Sequence, residues 1–285
     1  MRSESARTII IKRIEALSPF VKVELVKEYE KLVSLEIGQL DVTRHGESVL
    51  VIRPVNGLSV QSMYRSYPWR QPLDKIGRGL AALLCMLHQM ETRIDCDHSD
   101  IAQQILCDFN AKYGENLASS KIIKSLAMDS PSLKVCVVHN DLSPGNLLFD
   151  KKVVSLIDWE YWEKSYSVFN MLDILTTFGP VTQRLKLGRR RVEDYLYLLQ
   201  LPVTKLPRAF ECGLRTFWTS LGLENATTTQ LDALLRVYLA SKSTLQWRSY
   251  GSTGEMDVFW KSVYDEFNRS PARYMTLLLG LSSQK

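Results

Sequence analysis

The stretch Val135-Cys136-Val137-Val138-His139-Asn140-Asp141-Leu142-Ser143-Pro144-Gly145-Asn146-Leu147-Leu148-Phe149 places a polar cluster between two apolar runs. Val135 to Val138 is short and β-branched, which favours a buried strand. Pro144-Gly145 forces a loop, and Leu147 to Phe149 return the chain to the core. His139, Asp141 and Asn146 are therefore held on a short loop between buried anchors, an arrangement suited to positioning reactive groups. A second apolar run, Val153 to Ile157, reads as another strand and delivers Asp158, Trp159 and Glu160 just beyond its end.

Upstream of this core, Thr8 to Lys12 reads as a strand and Val21 to Leu35 as a charged amphipathic helix. Asp41 to Arg44 and Ser48 to Ile52, separated by His45-Gly46-Glu47, read as a hairpin, and Pro54 with Asn56-Gly57 ends it. Leu73 to Met90 carries Leu73, Ile76, Leu80, Leu83, Leu84 and Leu87 at helical spacing. Asp100 to Tyr113 and Ala118 to Met128 also read as helices. Beyond Trp162 the chain is mainly helical, with breaks expected at Gly179-Pro180, Leu201-Pro202, Leu206-Pro207 and Gly251 to Gly254. The fold class is α+β with two lobes: a strand-rich N-lobe over residues 1–55 and a larger, mainly helical C-lobe over 56–285 that carries the polar motifs.

Composition narrows the partners. A net charge of +5 spread over 285 residues suits an anionic ligand but makes no nucleic-acid surface. The five cysteines are scattered without a CxxC pair, which argues against a disulfide framework or zinc site and fits a reducing compartment. Met1 to Arg7 is polar, and no apolar run approaches the roughly 20 residues that span a bilayer. The expectation is a cytoplasmic protein without membrane insertion; its oligomeric state is not legible.

His139, Asp141 and Asn146 match the catalytic-loop spacing H-x-D-L-x-x-x-N of the kinase superfamily. In that chemistry a carboxylate accepts a hydrogen bond from an attacking hydroxyl, and five residues later an amide oxygen binds Mg²⁺ without adding negative charge. Asp158 ends its strand where the metal-binding Asp of D-F-G would stand. Mg²⁺ takes hard oxygen ligands, one or two carboxylates among them, and Asn146 with Asp158 meets that need.

The sequence resembles the aminoglycoside phosphotransferase and choline kinase-like family, which has a protein kinase-like fold. His139 to Phe149 and Ile157-Asp158-Trp159-Glu160-Tyr161 look like its H-[GN]-D-L-x-x-x-N-[IL]-L and I-D-[WF]-E signatures. Leu87-His88 resembles the end of one of its helices and Arg53 to Gly57 its hinge. The resemblance implies an ATP- and Mg²⁺-dependent O-phosphotransferase with Asp141 as catalytic base or hydroxyl-orienting group. It also implies Asn146 and Asp158 as metal ligands, and His139, Glu160 and Asp173 as supporting residues beneath or beside the loop. Lys12 resembles the lysine that grips the nucleotide phosphates, and Glu28 its ion-pair partner, with Glu24 the rival. The departure is upstream: eleven residues precede Lys12 and no glycine stands before Gly38. That implies a short or truncated N-lobe, and keeps a nucleotide-binding or regulatory module with little turnover as the alternative function.

The resemblance implies a small hydroxylated acceptor: choline or another amino alcohol, an aminoglycoside, or a sugar. Trp159, Tyr161, Trp162 and Tyr166, with Trp247, Tyr250 and Trp260, offer faces that attract quaternary ammonium ions, or they are core. The basic run from Arg184 to Arg191 reads as solvated surface.

Overall fold

β-Branched runs near the N-terminus pair as their composition suggests. The computed structural model describes residues 10–13, 42–45, 49–52, 57–62, 72–89, 98–115, 119–127, 133–150, 153–157, 161–182 and 191–282. The helix read over Val21 to Leu35, with Glu24 and Glu28, lies outside them, as do Asp158, Trp159 and Glu160. Strands β1 (Ile10–Arg13), β2 (Val42–His45) and β3 (Val49–Ile52) form an antiparallel sheet in the order β1-β3-β2. Its register sets Val42 opposite Ile52 and His45 opposite Val49, the hairpin expected there. Lys12 falls inside β1, opposite Leu50, rather than at its end.

After the two-residue strand β4 (Leu58–Ser59) come helices α1 (Pro72–Gln89), α2 (His98–Tyr113) and α3 (Ser119–Ala127). Then follow β5 (Val135–Val138), β6 (Leu147–Asp150), β7 (Val153–Leu156) and β8 (Glu163–Tyr166). The rest is helical: α4 (Val168–Thr182), α5 (Val192–Tyr195), α6 (Arg208–Ser220), α7 (Thr228–Tyr250), α8 (Glu255–Arg269) and α9 (Thr276–Ser282). Short 3-10 turns precede Pro202 and Pro207 or follow them, as the Leu-Pro pairs suggest. Strand β6 pairs with both β4 and β7, and β5 with β8, so two small antiparallel sheets sit within the helical part.

Gly179-Pro180 does not break the chain: α4 runs through it to Thr182. Pro180 stands in the last turn, where its missing N–H forfeits one ladder bond. Gly179 serves a close approach instead, since a Cβ there would lie 2.1 Å from the carbonyl oxygen of Asp194 on α5.

Helix α7 is anchored at its start by a capping box: Thr227 accepts from the Gln230 N–H, and Gln230 accepts from the Thr227 N–H. It ends at Gly251 in the left-handed region. Its apolar positions join those of α1, α4, α6 and α8 in one core. Among the described residues, no helix is long and apolar enough to cross a membrane.

Candidate active site

Strand β5 buries Cys136, Val137 and Val138 completely and then releases the chain into the polar loop. Asn140 takes φ +62°, a left-handed conformation that asparagine tolerates better than most residues. Its side chain donates to the Tyr161 carbonyl at 2.9 Å, tying the loop to the chain entering β8. Beyond Leu142 a turn over Ser143 to Asn146 closes with the Asn146 N–H on the Ser143 carbonyl at 2.9 Å.

Two catalytic candidates meet directly. The Asn146 amide Nδ2 donates to Asp141 Oδ2 at 2.7 Å and to the Asp141 carbonyl at 3.1 Å. Only the NH₂ end of the amide can face a carboxylate this way, so Oδ1 is turned to the opposite side of the group.

His139 braces the loop against the second motif. Its Nδ1 accepts from the Asp141 N–H at 3.2 Å, so its Nε2 carries the proton given to the Ile157 carbonyl at 3.0 Å. The Ile157 N–H in turn donates to the Asn146 carbonyl at 3.0 Å. The chain at residue 157 is thus fixed to both His139 and Asn146 immediately before Asp158.

Beneath the loop, α4 replaces water as the hydrogen-bonding partner. Asn170, Asp173 and Thr177 lie at i, i+3 and i+7, one face of a helix. Asn170 Oδ1 accepts from the His139 N–H at 3.1 Å while its Nδ2 donates to the Val137 carbonyl at 2.9 Å. Asp173 Oδ2 accepts from the Leu142 N–H at 2.5 Å, and Thr177 donates to the Leu142 carbonyl at 3.0 Å. Asp173 is fully buried, and a buried carboxylate needs a counter-charge. Lys242 on α7 supplies it at 2.8 Å from Oδ1, and the same ammonium donates to the Asn140 carbonyl. Tyr238, one turn earlier, donates to Asp173 Oδ1 at 3.0 Å. Burial, and next the Asp173 charge, push the Tyr238 phenol well above its ordinary value, so it stays a donor.

Sequence reasoning reached Asp141, Asn146, His139 and Asp173 but missed Asn170, Thr177, Tyr238 and Lys242. For α4 the signal was available, as polar residues at helical spacing in an otherwise apolar run. For α7 there was none, since its partners lie between 65 and 102 positions away. The side chain of Lys12 lies outside the described residues.

Around this centre, Arg248 on α7 grips Glu163 at 2.5 Å and also donates to Ser241 Oγ at 2.8 Å. Lys112 pairs with the fully buried Asp257, whose carboxylate also accepts from the Gln246 and Trp247 N–H groups. Among the aromatics, Tyr166 and Trp260 are core. Tyr161, Trp162, Trp247 and Tyr250 are half-buried, with Tyr161 and Tyr250 edge to face at 5.9 Å. Of the basic run, Arg191 is exposed and lies 3.7 Å from Asp194; Arg184 to Arg190 fall outside the described residues.

Residues 38–196, more than half of the chain, match the family described as the phosphotransferase enzyme family. The chain belongs to the phosphotransferase enzyme family. As a member it is a phosphotransferase that acts on hydroxyl-bearing small molecules. Its fold is similar to that of the ethanolamine kinase of Plasmodium vivax: 12% identity, TM-score 0.50, covering 94% of this chain and 77% of that one. Other similar structures are a choline kinase from Cryptosporidium parvum (14% identity, TM-score 0.48, 93% and 82% covered) and the ADP-bound aminoglycoside phosphotransferase APH(2″)-Ib (15%, 0.46, 94% and 88%). At such identities likeness speaks for the fold alone: an α+β, kinase-like, two-lobed architecture. No curated protein matches the sequence significantly.

Proposed function

We propose that this phosphotransferase moves the γ-phosphoryl group of ATP to the hydroxyl of a small alcohol, with Asp141 as the group that receives the acceptor. The observation that carries this reading is the clamp of Asn146 on Asp141 Oδ2, at 2.7 Å, on a loop braced from below. The clamp fixes one carboxylate oxygen with a neutral donor, which brings no charge to the site. The acceptor hydroxyl would donate to this carboxylate, its oxygen would bond to the γ-phosphorus, and ADP would leave with the bridging electrons. Asp141 would take the proton as the new bond forms.

The donor set fits Mg²⁺. Asn146 Oδ1, turned away from Asp141, and the Asp158 carboxylate are hard oxygen ligands of the kind this ion prefers. When bound, the ion would neutralise charge on the phosphates. Lys12 and Glu28 are the proposed nucleotide-gripping pair of an N-lobe over residues 1–55; Glu160 would support the metal-binding segment. His139 and Asp173 would serve the reaction by holding the loop. A cytoplasmic setting suits both the ATP pool and the scattered cysteines.

For the acceptor, the half-buried Tyr161, Trp162 and Tyr250 favour an amino alcohol, whose cationic end aromatic faces attract. The test is ADP release by the purified chain with Mg·ATP against choline, ethanolamine, aminoglycosides, macrolides and sugars. Release stimulated by one acceptor class is the expected outcome. Release at background with every acceptor would favour a nucleotide-binding module with little turnover.

A further inference from the structure

Lys242 is buried, 3% exposed, on the long helix α7. A lysine taken out of water keeps its charge only where counter-charge and acceptors replace the lost hydration. Three groups surround its ammonium: Asp173 Oδ1 at 2.8 Å, the Asn140 carbonyl, and the Trp260 ring with its centroid 5.0 Å away. Counter-charge for Asp173 needs only the first. The second contact bears on the loop itself, because the peptide that follows the left-handed Asn140 is the one that leads into Asp141. A non-glycine residue at positive φ persists only where its surroundings over-determine it. Here the carbonyl is held from below by Lys242, while the Asn140 side chain is held from the side by the Tyr161 carbonyl.

We propose that Lys242 is a positioning residue for phosphoryl transfer: by binding the Asn140 carbonyl and Asp173 together, it sets the peptide plane that aims the Asp141 carboxylate. The catalytic consequence rests on Asp141 receiving the acceptor; the mechanical claim does not. Asp173 fixes the Leu142 N–H and Lys242 fixes the Asn140 carbonyl, so the two peptides flanking Asp141 are both tied to one buried ion pair. Tyr238 completes the pair by donating to the same carboxylate oxygen as Lys242. Every bond in this arrangement goes to the loop or to Asp173 beneath it, so the effect of losing it belongs on kcat rather than on the KM for ATP.

The test replaces Lys242 with Met, which keeps the length of the stem and removes the ammonium. Amide hydrogen exchange and ADP release are measured on the variant and the wild type well below the melting temperature of either. Exchange at Asp141 and Leu142 should speed up by about tenfold or more while amides of α6 stay as protected as in the wild type. In the release assay kcat should fall by roughly a hundredfold, with the KM for ATP within about threefold. If Lys242→Met prevents folding, Lys242→Gln, whose NH₂ group still donates, should give the same pattern with smaller changes. Unchanged exchange at residues 141 and 142 would overturn the positioning role whatever the turnover. Faster exchange with undiminished kcat would overturn its catalytic part. Acceptor-independent background release in the wild type as well as the variants would count against the phosphotransfer reading and leave the exchange result to decide the mechanical claim.

Discussion

A carboxylate that must meet an incoming hydroxyl has to be oriented without being neutralised. Asn146 does this with a neutral donor, whereas a lysine or arginine in its place would lower the basicity that Asp141 is proposed to use. The charge needed for stability is placed one layer down, in the Asp173–Lys242 pair. Tyr238 belongs to that layer, and its effect on stability has a definite sign. Its phenol is raised in the folded state, by burial first and by Asp173 next. Between the unfolded value, about 10, and the higher folded value, the unfolded chain binds fewer protons. This contribution is therefore complete below about pH 10 and is lost as pH rises beyond it. Tyr238→Phe should flatten the loss of stability between about pH 10 and 11 in urea titrations. An equally steep alkaline loss in the variant would show that the phenol is not responsible. At this scale the sequence revealed the residues that chemistry demands at fixed spacing. It concealed the long-range partners: Lys242 becomes visible only once α7 is packed beneath a loop formed a hundred positions earlier.

The elements were legible where periodicity was strong. Helices α1, α2 and α3 and strand β5 fall within about two residues of the stretches their apolar spacing marks out. Strand β8 was not legible, because Glu163-Lys164-Ser165-Tyr166 has no β-branched residue. It is a strand since β5 offers it an edge, in a register that sets Val135 opposite Tyr166. Strand β4 has only two residues to read. Gly179-Pro180 misled for a related reason: local turn chemistry was outweighed by the packing of α4 against α5. The same kind of close approach holds α1 to α6. A Cβ on Gly77 would lie 2.6 Å from the Phe210 backbone nitrogen, and one on Gly213 would lie 2.9 Å from the Gly77 carbonyl oxygen. Backbone cannot give way as a side chain can, so Gly77→Ala should destabilise the protein by about 1–3 kcal/mol despite the better helix propensity of alanine. Chemical denaturation would measure it, and a variant as stable as the wild type would mean that the two helices separate freely.

Across the whole molecule, α7 connects the parts that the sequence left separate. Lys242 holds the loop after β5, Arg248 holds Glu163 at the start of β8, and Asp257 on α8 is bonded to the backbone at residues 246 and 247. A single helix therefore supports both the loop that carries Asp141 and the strand that follows the Asp158 stretch. The acceptor class was the least legible property, because the aromatic contacts proposed for it depend on which rings stay near the surface. Tyr166 and Trp260 proved to be core, while Tyr161, Trp162 and Tyr250 remain half-buried. The central claim is that Asp141 carries phosphoryl transfer, and Asp141→Asn addresses it most directly because the amide keeps the size of the side chain and removes its basicity. The measurement is transfer of labelled γ-phosphate from Mg·ATP to the best acceptor, alongside nucleotide binding. Transfer should drop by about 10²-fold or more, with nucleotide affinity within a few-fold of the wild type. Transfer at the wild-type rate in Asp141→Asn would contradict it.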